Sequence, residues 1–264
     1  MTDRYPEVEE VVVYMHQRIY EPLSLADLAG QAGYSRYHFA RIFKEQMGVS
    51  PLYYISALRL QKAKDLLLQT DLRVRDIGME IGQQSLGTFT TRFTERVGMT
   101  PAQFRHYSPN ASDHFQSLKK IRDWSDPGSQ SRDAPTLKGT ITATEPFNGI
   151  ILVGLFPKPI PEGFPLYGTL LSSLGEFCFQ GVHPGVYYLL ATSVSWRMQA
   201  RDFLLPHQTL RARSKDPIIV KESSPIPHQQ LTLCPPRLGD PPILISLPLL
   251  MKNFLKRVNP HSNR

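Results

Sequence analysis

Cysteine is scarce in this chain of 264 residues. Cys178 and Cys234 are its only cysteines, too few for a disulfide framework or a four-cysteine zinc site. No Cys/His metal spacing, Walker-type phosphate loop or His-Glu-x-x-His run occurs, and nothing calls for a cofactor, a metal or a catalytic residue. No stretch of eighteen apolar residues exists, so no helical membrane span is expected. The N-terminal Met1-Thr2-Asp3-Arg4-Tyr5-Pro6-Glu7 has no apolar core of the kind a secretory leader needs. The chain is therefore expected in the cytoplasm, with both cysteines as buried thiols rather than a disulfide. Apolar residues are not scarce: a hydrophobic content of 41% supports folded domains, and the length leaves room for two.

The net charge is +7, which suits an anionic partner. It is unevenly placed. Residues 1–107 carry 13 Lys and Arg against 12 Asp and Glu, a balance of +1, while residues 108–264 carry 17 against 11, a balance of +6. Overall basicity therefore says little about the first half; the positions of individual arginines matter more.

The strongest internal signal is a repeat. Phe43-Lys44-Glu45-Gln46-Met47-Gly48-Val49-Ser50-Pro51 returns fifty positions later as Phe93-Thr94-Glu95-Arg96-Val97-Gly98-Met99-Thr100-Pro101. Upstream, Leu28-Ala29 answers Ile77-Gly78 and Gly33 answers Gly82. Such a repeat is one supersecondary unit used twice. Apolar spacing predicts helices over 8–20, 25–31, 36–47, 52–68, 74–80 and 85–97. Ser24 and Ser35 are expected N-caps, Asp27 completes a capping box, and Gly33 and Gly48 close helices in the left-handed conformation. The fourth helix, about seventeen residues at 1.5 Å each, makes a rod of roughly 25 Å, enough to hold two helices near one DNA turn of about 34 Å apart.

The stretch from Leu23 to Arg105 resembles the paired helix-turn-helix DNA-binding domain of AraC/XylS-type transcription regulators. The residues that carry the resemblance are Leu25 to Ala29, Ser35 to Lys44, Gly48-Val49-Ser50-Pro51, Leu58 to Ala63, and Phe93 through Thr100-Pro101-Ala102-Gln103-Phe104-Arg105. The resemblance implies sequence-specific promoter binding, with Arg36, Tyr37 and Arg41 in the first set of DNA-facing positions and Ser85, Leu86, Gly87, Thr88 and Thr91 in the second. Helix phase adds His38 as a structural or phosphate-bonding residue, and Lys44 and Arg96 for the DNA phosphates, which position a protein without reading sequence; Arg92 joins the DNA-binding set. Arg41 is the chief candidate for a bidentate guanine contact; the alternative is a solvated surface arginine. Tyr37 either packs on a thymine methyl or a sugar, or is a partly buried packing aromatic. Gln83 stands where the family usually has an aromatic, and Gly87 weakens the second reading helix by roughly 1 kcal/mol relative to alanine. The first unit is thus expected to carry most of the specificity. The partners implied are double-stranded DNA and, as further candidates, RNA polymerase, a small-molecule effector and a second copy of the chain.

Beyond Arg105 the pattern changes. Residues 108–135 read as a linker with a short helix over 115–124. Residues 136–264 read as an all-β sandwich, with strands over 136–144, 149–156, 166–171, 176–180, 186–196, 218–222, 229–233 and 243–247 and a terminal helix over 249–258. Gly175 to Ala191 resembles the Gly-x-Phe…Val-x-Pro-Gly-x-Tyr-x-Leu pattern of carboxypeptidase-regulatory-like, transthyretin-type sandwiches, a resemblance that bears on fold and not on function. The expected fold is thus multidomain: an all-α double helix-turn-helix domain (1–107), a linker (108–135) and a β-sandwich for effector binding or association (136–264). The order is unusual, since the AraC/XylS family generally places its DNA-binding half at the C-terminus. Tyr167, Tyr187, Tyr188, Trp196 and Phe203 either line a pocket or pack a core, and Arg197, Arg201, Arg211, Arg213 and Lys215 form a basic stretch. The function expected is a non-enzymatic DNA-binding transcription regulator. The alternatives are a DNA-repair alkyl transferase with a reactive cysteine and a non-sensing architectural DNA binder. The former lacks support because neither cysteine has a neighbouring base to activate its thiol.

Overall fold

Serine caps and glycine stops set the helices of the N-terminal half. The computed structural model describes residues 5–83, 85–122, 124, 135–222 and 224–258. The first helices are α1 (Pro6–Gln17), α2 (Leu25–Gln31), α3 (Arg36–Met47), α4 (Pro51–Gln69), α5 (Val74–Glu80), α6 (Leu86–Val97) and α7 (Pro101–Arg105). Ser24 forms a capping box with Asp27, and Ser35, Ser50 and Ser85 each accept the backbone N–H of the third residue onward. Gly33 and Gly82 close the turns after α2 and α5 at φ +69° and +77°, and Gly48 and Gly98 end α3 and α6 at φ +81° and +91°. Both pairs hold the left-handed backbone that glycine adopts without a Cβ clash.

The repeat extends into the core. Phe39 and Phe43 lie 5.5 Å apart and Phe43 meets Tyr54 edge-on at 5.7 Å. Fifty positions on, Phe89 and Phe93 lie 5.7 Å apart and Phe93 meets Phe104 edge-on, also at 5.7 Å. All six rings are buried. Two arginines add a matched backbone brace. Arg59 Nε donates to the Ile19 carbonyl (3.0 Å), and the guanidinium also holds the Glu21 carbonyl. Arg105 does the same with Leu67 (3.3 Å) and Leu72. Each arginine thus satisfies carbonyls left over where the chain turns from a long helix into a supporting one.

The described residues divide into two units. The first comprises residues 1–105 and two short stretches from far along the chain, Lys158–Gly163 and Arg237–Leu244. Both stretches lie outside the span 1–107 expected from sequence. The reason is visible in their bonds. Lys64, buried in α4, donates to the carbonyls of Ile243 (3.0 Å) and Leu244 (3.3 Å), and Tyr54 Oη donates to the carbonyl of Asp240 (3.2 Å). The strand expected over 243–247 does not form: its carbonyls are taken by Lys64, and the Leu244 N–H donates to the Pro161 carbonyl (2.9 Å).

The second unit comprises residues 106–157, 164–236 and 245–264. Its strands are β1 (Leu137–Ala143), β2 (Gly149–Phe156), β3 (Tyr167–Leu171), β4 (Gly175–Phe179), β5 (Gly185–Ser195), β6 (Arg211–Arg213), β7 (Ile218–Val220) and β8 (Gln229–Leu233). One sheet has the order β4-β1-β8, with β1 and β8 parallel. The other has the order β3-β2-β5-β6, antiparallel throughout, with β7 also pairing β5. Alternate residues of both sheets meet in one core, including Leu137, Ile141, Phe177 and Leu231 from the first and Ile151, Val153, Leu189 and Ile218 from the second. The Gly175–Ala191 stretch spans the passage from β4 in one sheet to β5 in the other. Its corner is held by two tyrosines: Tyr167 Oη donates to the Gly181 carbonyl (3.1 Å) and Tyr187 Oη to the His183 carbonyl (2.8 Å).

This unit is not all-β. Helices α8 (Ser108–Lys119), α9 (Ala200–Leu204) and α10 (Leu247–Val258) pack together through Phe115, Phe203 and, via Trp124, Phe254. The helix expected over 115–124 begins earlier, at Ser108, so half of the stretch read as linker is structured. Residues 125–134 of that stretch lie outside the described residues. β2 is buried along its whole length, as a strand covered on both faces must be. Cys178, expected buried, is exposed, because β4 alternates and its neighbours Phe177 and Phe179 take the core side. Among the described residues no helix is long and apolar enough to cross a membrane.

Candidate nucleic-acid interface

The two Ser-capped helices α3 and α6 present the residues singled out from sequence. On α3, Arg36, Tyr37, His38, Arg41 and Lys44 are all exposed, while Phe39, Ile42, Phe43 and Met47 take the buried face. Tyr37 is 88% exposed, so it packs on nothing within the unit. His38 differs: its ring lies 4.7 Å from that of Tyr34, and it serves as a packing neighbour. Arg41 makes a 3.5 Å ion pair with Glu45, one turn on, at 62% side-chain exposure. An exposed pair at this spacing is worth about 0.3–0.5 kcal/mol, less than the roughly 1–3 kcal/mol of a bidentate guanine contact. The ion pair therefore holds the guanidinium only weakly.

On α6, Leu86, Gly87, Thr88, Thr91 and Arg92 are exposed, as is the cap Ser85. The Ser85 and Thr88 hydroxyls bond each other at 2.9 Å, and Arg92 donates to Gln83 Oε1 at 3.1 Å. A Cβ added at Gly87 would meet nothing within 4 Å, so packing does not require glycine there. Arg96 departs from the expected set. Its side chain is 12% exposed and paired with Glu162, so it is turned into the unit and not available to a phosphate.

The charges at the helix starts also follow the repeat. The supporting helices α2 and α5 carry Asp27 and Asp76 in their first turns, whereas α3 and α6 carry no acid there. An acid at a helix start stabilises the helix and repels phosphate; its omission from α3 and α6 leaves their N–H ends open to an anion. Arg36, in the first turn of α3, is the reverse choice, a cation at the positive end of the helix dipole. Helix stability does not account for it.

Residues 28–107 match the family model described as a helix-turn-helix domain. These residues are a helix-turn-helix domain. The relatives of this domain-bearing chain include transcriptional regulator Rob of Salmonella typhimurium, 34% identical over 101 residues, covering 38% of this chain and 35% of that protein. The bifunctional transcriptional activator and DNA repair enzyme AdaA of Bacillus subtilis is 35% identical over 101 residues, covering 38% of this chain and 48% of that protein. An AraC-type transcriptional regulator structure from Chromobacterium violaceum is 35% identical, covering 39% of this chain and 91% of that one, with a TM-score of 0.38. The chain spans about a third to a half of the length of the curated relatives it matches.

Sequence reasoning missed the roles of several residues that hold the first unit together. Arg59 and Arg105 sit inside the repeat, and their recurrence after similar helices was a usable signal. Lys64, Lys158 and Glu162 had none, since what each does depends on a segment remote in sequence.

Proposed function

We propose that the chain is a sequence-specific DNA-binding transcription regulator whose helices α3 and α6 enter adjacent major-groove faces. The observation that carries this reading is the duplicated, serine-capped helix with an apolar face buried and a polar face bare, repeated at a period of fifty with its aromatic core intact. The polar face of α3 holds Arg36, Arg41 and Lys44; that of α6 holds Thr88, Thr91 and Arg92. Base reading therefore rests mainly on α3, and α6 anchors to the backbone. In this reading the second unit serves effector sensing or association, a role its β-rich scaffold allows without dictating. The match to AdaA raises the repair reading, but Cys178 lies on a β4 face without a histidine beside it in sequence, and Cys234 Sγ donates to the Thr232 carbonyl at 3.5 Å.

The test is Arg41→Ala, assayed against a duplex selected by the full chain from a random-sequence pool and against unselected DNA. Affinity for the selected duplex should fall by about 10-fold or more, the worth of one bidentate base contact, with little change on unselected DNA. An equal loss on both would make Arg41 a phosphate anchor. A full chain that enriches no duplex would overturn the reading itself.

A further inference from the structure

Glu162 belongs to the first unit although it lies far beyond the helix-turn-helix domain in sequence. Its side chain is 7% exposed. Arg96 Nε and Nη2 both approach one carboxylate oxygen at 2.5 Å. Lys158 Nζ donates to the other at 3.0 Å, and Tyr53 Oη donates to that same oxygen. Arg96 Nη1 reaches Ser56 Oγ at 3.2 Å, and the guanidinium lies over the Tyr53 ring at 4.6 Å. The backbone beside Glu162 repeats the grip: the Gly163 N–H donates to the Arg96 carbonyl at 2.8 Å, one of the carbonyls that the end of α6 leaves unpaired. Pro159 packs on Gly48, the stop of α3, closely enough that a Cβ there would lie 2.8 Å from Pro159 Cγ. One short segment therefore touches the end of the first reading helix, the connecting rod α4 and the end of the second reading helix.

The repeat shows that this is an addition to the domain. Arg96 occupies the position of Gln46, whose Oε1 accepts the N–H of Tyr5 at 3.1 Å. A neutral side chain serves in the first repeat; in the second repeat, a buried cation is matched by an acid from beyond the domain. A buried carboxylate with three donors fixes a geometry that a well-packed apolar substitute, often as stable, would not specify.

We infer that Glu162 is a positioning residue that sets the placement of α6 relative to α3, and so the spacing between DNA half-sites that the chain accepts. The inference rests on the DNA-binding reading above. A two-headed reader gains affinity from its second head only when the linkage geometry matches the target. Loosening the clamp reduces that match without removing any residue from the DNA-facing surface.

The test uses the full chain, the duplex it selects from a random pool, and the same duplex with one base pair inserted between the half-sites. Glu162→Gln removes the charge; Gly163→Ala strains the loop independently, because Gly163 sits at φ +59° with the Glu95 carbonyl 3.3 Å from an added Cβ. Each is compared with wild type well below its melting temperature, with circular dichroism confirming the fold. The wild-type preference for the selected spacing should shrink by about 10-fold in either variant that folds, through weaker binding to the selected duplex and little change on the inserted one. A general loss of stability would lower both affinities together and leave the ratio intact. Folded variants that keep the wild-type ratio would overturn the inference. A wild-type chain that enriches no duplex would instead remove the DNA-binding reading on which it rests.

Discussion

Lys64 shows how one side chain can tie distant sequence together at an electrostatic cost. It is fully buried in α4, and burial pushes its ammonium down to about 7. Two backbone carbonyls accept from it, and the Phe104 ring lies 5.5 Å away. Below pH 7 both folded and unfolded chains carry the proton, and the folded state bears the full burden of a desolvated charge. Between about 7 and the ordinary lysine value near 10.4 the unfolded chain binds more protons than the folded one, so this group makes stability rise with pH across that window. Wild type should therefore gain stability relative to Lys64→Met on going from pH 7 to pH 9, as read from urea denaturation midpoints. Parallel pH profiles would mean that Lys64 titrates normally.

At the scale of the element, α6 is the more telling of the two reading helices. Gly87 has open space where a side chain would be, so Gly87→Ala should stabilise the unit by up to about 1 kcal/mol through helix propensity. If the α6 backbone approaches DNA at that point, the same methyl should weaken binding to the selected duplex. A variant that melts higher and binds less tightly is the expected outcome, measured by thermal unfolding and by titration of labelled duplex; unchanged affinity would place Gly87 away from DNA. Much of this level was legible beforehand. α2, α3 and α5 run over the residues that apolar spacing and caps marked out, because a serine cap, a 3.6-residue apolar stripe and a glycine stop are local signals. The strands over 149–156 and 229–233 followed for a similar reason, with turn residues on both sides. The strand over 243–247 failed because local apolar character cannot tell whether a backbone will find a sheet or a buried lysine. Helix α9 and strand β6, of five and three residues, were too short to leave a pattern.

For the whole molecule, the first unit is assembled from three separate pieces of chain. A fragment ending at residue 107 would keep both reading helices but lose the acid that neutralises Arg96 and the carbonyls that satisfy Lys64. Removing one partner of a buried charge costs about 3–5 kcal/mol. The fragment 1–107 should accordingly melt well below the full chain's helical transition, followed by circular dichroism, and the gap should be smaller for fragments carrying Arg96→Gln and Lys64→Met. Equal melting of fragment and full chain would show that the two remote segments contribute nothing.

From sequence alone came the duplicated unit, its caps and stops, the side of each reading helix that faces outward, and a β-rich second half. All of these depend on neighbours within a few positions or on a period along the chain. The tertiary structure decided which of the named cations is free. Arg41 stays in solvent because its partner is one turn away on an exposed face, while Arg96 is drawn inward by Glu162, sixty-six positions along. It also decided that the helical unit includes two stretches from beyond the repeat and that three helices accompany the sheets. Such pairings depend on where the folded chain brings a charge and its counter-charge together, and no periodicity in sequence records that meeting.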